Sequence, residues 1–335
     1  MTSGRSDGDP RQLAPPEGSL VAITTRNRYL GAMLGLAAGD ALGTTLEFKT
    51  PETFQPITDM IGGGPFRLMP GQWTDDTSMA LCLAESLLAR GGFDAVDQMH
   101  RYLRWRDEGY RSSTGECFDI GNTVCDALTS FTQTGHGFSG PTAEHTAGNG
   151  SLMRMAPVPL FFAHDPALAV RMAADSSRTT HGAAAAVDAC RYFAALLLGA
   201  LAGSPKEKLL EPCFSPFAGL WDDEPLQPAV AAIAGGSFRM KTPPEIRGTG
   251  YVIDCLEAAL WAFATTGDFA SGALAAVNLG GDADTTGAVY GQLAGAYYGV
   301  EGIPRAWRER IAMHDMIAAV AEQLYRAVQE RSKCG

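Results

Sequence analysis

The sequence lacks any surplus of positive charge: 26 lysines and arginines stand against 37 aspartates and glutamates, a net charge of -11. That balance is unfavourable for a nucleic-acid binder, whose affinity comes from a basic surface that displaces counterions from phosphates. No CxxC pair occurs among Cys82, Cys117, Cys125, Cys190, Cys213, Cys255 and Cys334, their number is odd, and Cys82 and Cys190 sit inside apolar runs. Such usage argues against a disulfide scaffold and predicts reduced, mostly buried thiols. The six histidines pair neither with one another nor with cysteine, which disfavours zinc. The longest apolar run, Tyr192 to Gly203, is too short to span a bilayer. The N-terminal stretch MTSGRSDGDPRQLAPPEGSL has no hydrophobic signal core. A cytoplasmic protein with neither a membrane nor a nucleic-acid partner is expected.

Period-two alternation is also scarce, so strands should be few and short. What is present instead is helical text. Thr77 to Arg90 places Met79, Leu83 and Leu87 four apart, with Cys82 beside them, which is one buried face. Asp165 to Asp175, Gly182 to Ala202, Tyr251 to Thr265 and Met316 to Arg331 are rich in Ala and Leu and poor in β-branched residues. Hydrophobic residues make up 46% of the chain, enough for a sizeable core. Length alone permits one large domain or two. Residues 1–19, rich in Gly, Pro, Ser and charge, read as a disordered tail.

Two helical segments carry glycine at every fourth position: Gly31, Gly35, Gly39, Gly43 and Gly287, Gly291, Gly295, Gly299. A glycine inside a helix costs about 1 kcal/mol relative to alanine. Eight of them in register imply a compensating gain, and period four puts each set on one stripe where two backbones can approach. Both helices are predicted to be central, and to pack closely.

Acidic clusters lie beside these segments. GQWTDDTSMA holds Thr74, Asp75 and Asp76 ahead of an apolar helix; NLGGDADTTGAVYG holds Asp282, Asp284 and Thr285 ahead of the second glycine rail; GDALGTTLEF holds Asp40 and Glu47. One helix cap needs one such residue, and these sites hold more. Two remote aspartate pairs brought together would repel unless a cation lay between them. Carboxylate and hydroxyl oxygens without His or Cys suit a hard divalent ion.

At these residues the chain resembles the ADP-ribosylglycohydrolase family, most closely its bacterial dinitrogenase reductase-activating glycohydrolase branch. The motifs that carry the likeness are GAMLGLAAGDALGTTLEF (31–48), GQWTDDTSMALCLAESLL (71–88), CFDIGNT (117–123), GNGSLMRMAPVPL (148–160), TTHG (179–182), GTGYVIDCLEAALWAF (248–263) and GGDADTTGAVYGQLAGAYYG (280–299). The resemblance implies an all-α, compact orthogonal helical bundle forming a single domain from residue 20 to 335. It also implies two divalent cations, Mg²⁺ or Mn²⁺, on Thr74, Asp75, Asp76, Asp282, Asp284 and Thr285. Glu47, Asp119 and Asp284 would be catalytic.

In the glycine-rich loop, the backbone N–H groups of Gly148, Asn149, Gly150 and Ser151 are candidates for phosphate oxygens. Arg154 would add charge there or pair with an internal carboxylate. Asn122, Met153, His181 and Tyr251 complete the expected substrate contacts, the tyrosine by stacking on a sugar or base. His100, His136, His145, His164 and His314 have no motif support and read as structural or exposed. The expected activity is cleavage of the N-glycosidic bond between ADP-ribose and a protein side chain, arginine first, by a monomeric enzyme. Other ADP-ribosyl conjugates (O-acetyl-ADP-ribose, serine-linked, poly-ADP-ribose), a non-catalytic binder, and partner binding through the tail are the alternatives.

Overall fold

A computed structural model describes residues 23–331; the expected tail at 1–19 and Cys334 lie outside the described residues. Fourteen α-helices follow in order: α1 (Thr25–Gly43), α2 (Asp75–Arg90), α3 (Ala95–Glu108), α4 (Asn122–Thr134), α5 (Pro157–Phe162), α6 (Pro166–Arg178), α7 (Ala184–Leu201), α8 (Lys206–Leu209), α9 (Pro228–Ala234), α10 (Val252–Thr265), α11 (Phe269–Val277), α12 (Ala283–Tyr298), α13 (Arg305–Arg310) and α14 (His314–Arg331). Among the described residues there is no strand, only the isolated bridges Gly63–Leu68 and Gly148–Tyr251. The all-α expectation is met.

The helix ends follow from local chemistry. Thr24, Asp94, Asp165 and Asp268 each accept a backbone N–H from the first turn of α1, α3, α6 and α11 with their side chains. Gly91, Gly109 and Gly135 close α2, α3 and α4 in the left-handed conformation.

The centre is the pair α1 and α12, most of whose residues are buried. The two glycine rails face one another. A Cβ added to Gly31, Gly35 or Gly39 would lie 2.1, 2.3 or 1.9 Å from the carbonyl oxygen of Gly295, Gly291 or Gly287. The contact is backbone on backbone, so no side-chain rotation can relieve it. Helices α7, α10 and α11 pack against α12, and α2, α11 and α14 against α1, so one apolar core surrounds the rails.

Helix α7 corrects one expectation. The run Tyr192–Gly203 is extended at its N-terminal side by an Ala-rich stretch, and the 18-residue helix is long and apolar enough to cross a membrane. Of it, 94% is buried inside the fold, as a core helix is.

Candidate active site

The rail packing decides where the acidic motifs go. Gly43 ends α1 against the first turn of α12: a Cβ there would sit 2.2 Å from the Ala283 carbonyl oxygen and 2.3 Å from Asp284 Cα. The turn after α1 carries Glu47. It is stapled beside Asp282 by two backbone bonds, Phe48 N–H to the Gly281 carbonyl (2.7 Å) and Gly281 N–H to the Lys49 carbonyl (2.8 Å).

Helix α2 points its N-terminus at the same place, held there by Asp40. This aspartate, fully buried within α1, accepts the Thr74 N–H at 2.8 Å and its hydroxyl at 3.0 Å, then the Thr77 N–H at 3.0 Å and its hydroxyl at 2.6 Å. The first turn of α2 is therefore capped from another helix. Neither Thr74 nor Asp282, the residues at the two cap positions, makes a side-chain capping bond. The threonines and aspartates are left over for other work.

They converge. The Thr74 hydroxyl lies 3.0 Å from Asp40, 3.3 Å from Asp76 and 3.3 Å from Asp284, and the Thr285 hydroxyl 3.4 Å from Asp76. A hydroxyl has a single hydrogen, so Thr74 can serve one of its three carboxylate neighbours at a time. Asp76 Oδ1, Asp284 Oδ1 and Glu47 Oε2 are buried with no hydrogen-bond partner. Ligand oxygens from Glu47, Asp119 and Asp284 come within 4.8 Å of one another. A buried group of acceptors short of donors is the donor set of a hard cation. Asp76 of α2 and Asp284 of α12, remote from one another in sequence, thus share one site.

Crowding shifts their protonation. Burial, then the neighbouring Asp119, pushes the Glu47 carboxyl up to about 10. Burial raises Asp119 to about 7. Asp75, Asp76 and Asp284 are held well above the usual carboxylate range, first by burial and then by one another and by Asp119, Asp40 and Glu47. Asp119 has a left-handed backbone (φ 60°), a conformation aspartate tolerates better than most residues. The N-cap of α4 is Gly121, so Asp119 caps nothing.

Above the carboxylates opens a cleft of about 590 Å³, in the size range of small-ligand pockets. Glu47, Asp75, Asp119, Asp282 and Thr285 line it together with Asn122, Gly148, Asn149, Gly150, Met153, His181 and Tyr251. Tyr251 heads α10 and is 42% exposed; Thr74, Asp76 and Asp284 are buried.

Two expectations around the glycine-rich loop need correction. The Ser151 amide is not one of them, although the Ser151 side chain is fully buried with its hydroxyl 2.9 Å from that of Ser177. The Gly148 and Asn149 N–H groups are already spent on the Thr146 and Gly250 carbonyls; among the described residues only the Gly150 and Ser151 amides of that loop lack an acceptor. Asn149 instead donates its side-chain amide to Asp282 at 2.7 Å. Arg154 neither enters the cleft nor pairs with a carboxylate; it lies at 0% exposure among neutral acceptors. His145, read as structural or exposed, is exposed and also lines the cleft, which the other four histidines of that group do not. Sequence reasoning also missed the role of Asp40, although a charge inside a Gly/Ala helix was its signal.

The ADP-ribosylglycohydrolase family profile matches residues 22–334. The chain is 42% identical to the ADP-ribosylarginine hydrolase Tri1 of Pseudomonas putida (strain GB-1), over 94% of this chain and 82% of that one. It is 32% identical to the ADP-ribosyl-[dinitrogen reductase] glycohydrolase of Rhodospirillum rubrum, over 87% and 92%. A solved structure titled ADP-ribosylglycohydrolase-related protein complex superposes with a TM-score of 0.79 at 48% identity, covering 91% of this chain and 99% of that one. With its profile matched almost end to end, and its acidic motifs folded into one cleft, this chain belongs to the ADP-ribosylglycohydrolase family.

Proposed function

We propose that the protein is a divalent-metal-dependent hydrolase that removes ADP-ribose from arginine side chains of modified proteins. The observation that carries this reading is the meeting of Glu47 and Asp119 with the α2 and α12 aspartates in a cleft of ligand size. The arginine preference rests on the relatives, two of which are named ADP-ribosylarginine hydrolase at 42% and 41% identity.

Thr74, Asp75, Asp76, Asp282, Asp284 and Thr285 would hold two ions, Mg²⁺ or Mn²⁺; the orphaned oxygens of Asp76 and Asp284 fit that role. Held there, such ions would supply polarisation of ribose hydroxyls and acidification of water. The protein's own groups do the rest. Asn149 fixes the Asp282 carboxylate. The anomeric carbon would lie beside Glu47 and Asp119, with Tyr251 and His145, which line the same cleft, meeting other parts of the ligand. As the carbon–nitrogen bond breaks, positive charge grows on the sugar, which neighbouring carboxylates stabilise. Water forms the new carbon–oxygen bond. One of Glu47 and Asp119 takes its proton, and the other supplies the proton needed by the leaving guanidine nitrogen. Asp119 also matches an arginine guanidinium in charge.

The test is release of ADP-ribose from an arginine-modified protein with Mg²⁺ or Mn²⁺, and its loss in chelator. Release only from a serine-linked or O-acetyl substrate would reassign the linkage; calorimetric binding without turnover of any conjugate would make the protein a binder.

A further inference from the structure

Arg154 is a fully buried cation that no carboxylate neutralises among the described residues. Its guanidinium donates to the Gly150 carbonyl (3.0 Å), the Ser176 carbonyl (3.3 Å), the Thr179 hydroxyl (3.3 Å) and the Thr180 hydroxyl (2.7 Å), and lies 4.7 Å from the centre of the Tyr102 ring. A buried charge without a counter-ion is costly, and it persists where something else uses the charge.

Both of its arms lead to the cleft. Guanidinium can only donate, so Thr180 Oγ1 accepts from it. The Thr180 hydroxyl hydrogen then has one acceptor in reach, His181 Nδ1 at 2.9 Å. With Nδ1 accepting, the ring proton is on Nε2. That edge faces Gly148 and Gly150, where a Cβ on Gly148 would be 3.2 Å from Nε2 and one on Gly150 2.8 Å from Cε1. On the other arm, Arg154 binds the carbonyl of the Gly150–Ser151 peptide. The N–H of that peptide points the opposite way and has no acceptor among the described residues.

We propose that Arg154 is a positioning residue for an anion subsite: it orients the His181 Nε2–H donor through Thr180 and polarises the Ser151 N–H through Gly150. The anion it serves is the diphosphate of an ADP-ribosyl ligand, so the inference deepens the function proposed above and rests on it. Burial and the Arg154 charge lower His181 to about 3, so the ring itself brings no charge. The arrangement recognises phosphate by aimed hydrogen bonds backed by one remote cation.

Nitrogen-15 NMR of the ligand-free protein tests the first half without any substrate. An Nε2–H tautomer at His181 is expected; an Nδ1–H tautomer overturns the proposal. Calorimetry with ADP-ribose, ADP and adenosine tests the second half. T180V should weaken ADP-ribose and ADP by about tenfold or more, as loss of a buried hydrogen-bond partner does, and leave adenosine unchanged; T180S should restore the wild-type values. In turnover the loss should fall on KM with kcat nearly kept. Equal weakening of all three ligands, or wild-type affinity in T180V, overturns the relay while the hydrolase reading stands. A wild-type protein that binds no ADP-ribose fails that reading instead.

Discussion

The Asp40 carboxylate grips Thr74 twice, by its backbone N–H at 2.8 Å and its hydroxyl at 3.0 Å, across the interface between α1 and α2. One buried aspartate thus does the capping that Thr74 and Asp75 would otherwise do, and the first turn of α2 is free to present its oxygens to the cleft. D40N keeps the shape but turns two donors toward two donors at Thr77. The expected cost is about 3 kcal/mol, the scale for buried donors left unsatisfied, read as a lower urea midpoint. An unchanged midpoint would mean that Asp40 does not hold α2.

The glycine rails predict a steep contrast between glycines. G39A places a methyl 1.9 Å from the Gly287 carbonyl oxygen, and two packed helices must separate to admit it. A loss of at least about 3 kcal/mol is expected, at the upper end of overpacking costs. G267A, where nothing lies within 4 Å, should stay within about 0.5 kcal/mol of the parent. Paired thermal melts decide this, and similar Tm values for the two would refute it.

Removing metal should make stability fall as pH rises. Glu47 at about 10 and Asp119 at about 7 keep protons that the unfolded chain gives up near pH 4. The native state then binds more protons than the unfolded state, so stability declines with rising pH until each folded pKa is passed. His181, lowered to about 3, acts oppositely but only below its unfolded value of about 6.5. The carboxylate effect is therefore cleanest between about pH 7 and 8. In chelator, Tm should drop across that window, and the gain in Tm on adding Mn²⁺ should grow with pH. A flat apo profile would contradict the crowding described at this site.

D284N should lose metal binding together with activity. Outer-shell changes alone cost about 10–100-fold at metal sites, so a fall in kcat/KM beyond about 100-fold is expected for a direct ligand. Mn²⁺ titration followed by electron paramagnetic resonance would show whether affinity falls too. Tight Mn²⁺ binding in D284N would remove this residue from the ligand set.

E47Q separates proton transfer from metal binding. Loss of the ionisable group should lower kcat by about 10²–10⁴-fold, the usual contribution of general acid–base catalysis, with Mn²⁺ affinity nearly kept. Undiminished turnover would assign the chemistry to Asp119 alone.

Helicity, the two rails and their mutual packing, and the metal-type acidic motifs were legible along the chain because each is written in local spacing. Glycine at period four marks a stripe without knowledge of the partner, and two carboxylates beside a threonine exceed what a cap needs. The same locality explains the misses. The Asn149 amide sits in the expected loop, but its hydrogen is taken by the Gly250 carbonyl, which belongs to a remote segment. That His145 lines the cleft was not legible, because no motif surrounds it along the chain and only the fold brings it there.

The sequence by itself determined that this is a helical protein with two glycine-faced central helices and carboxylate groups built for hard cations. Only the tertiary structure decided which of those groups are spent on the fold and which are left for a ligand. Asp40 became a cap, Asn149 a clamp on Asp282, and Arg154 a charge beneath the loop. The physical reason is that a hydrogen bond is committed by whichever partner arrives within 3 Å, and here the partners come from segments tens to hundreds of residues apart.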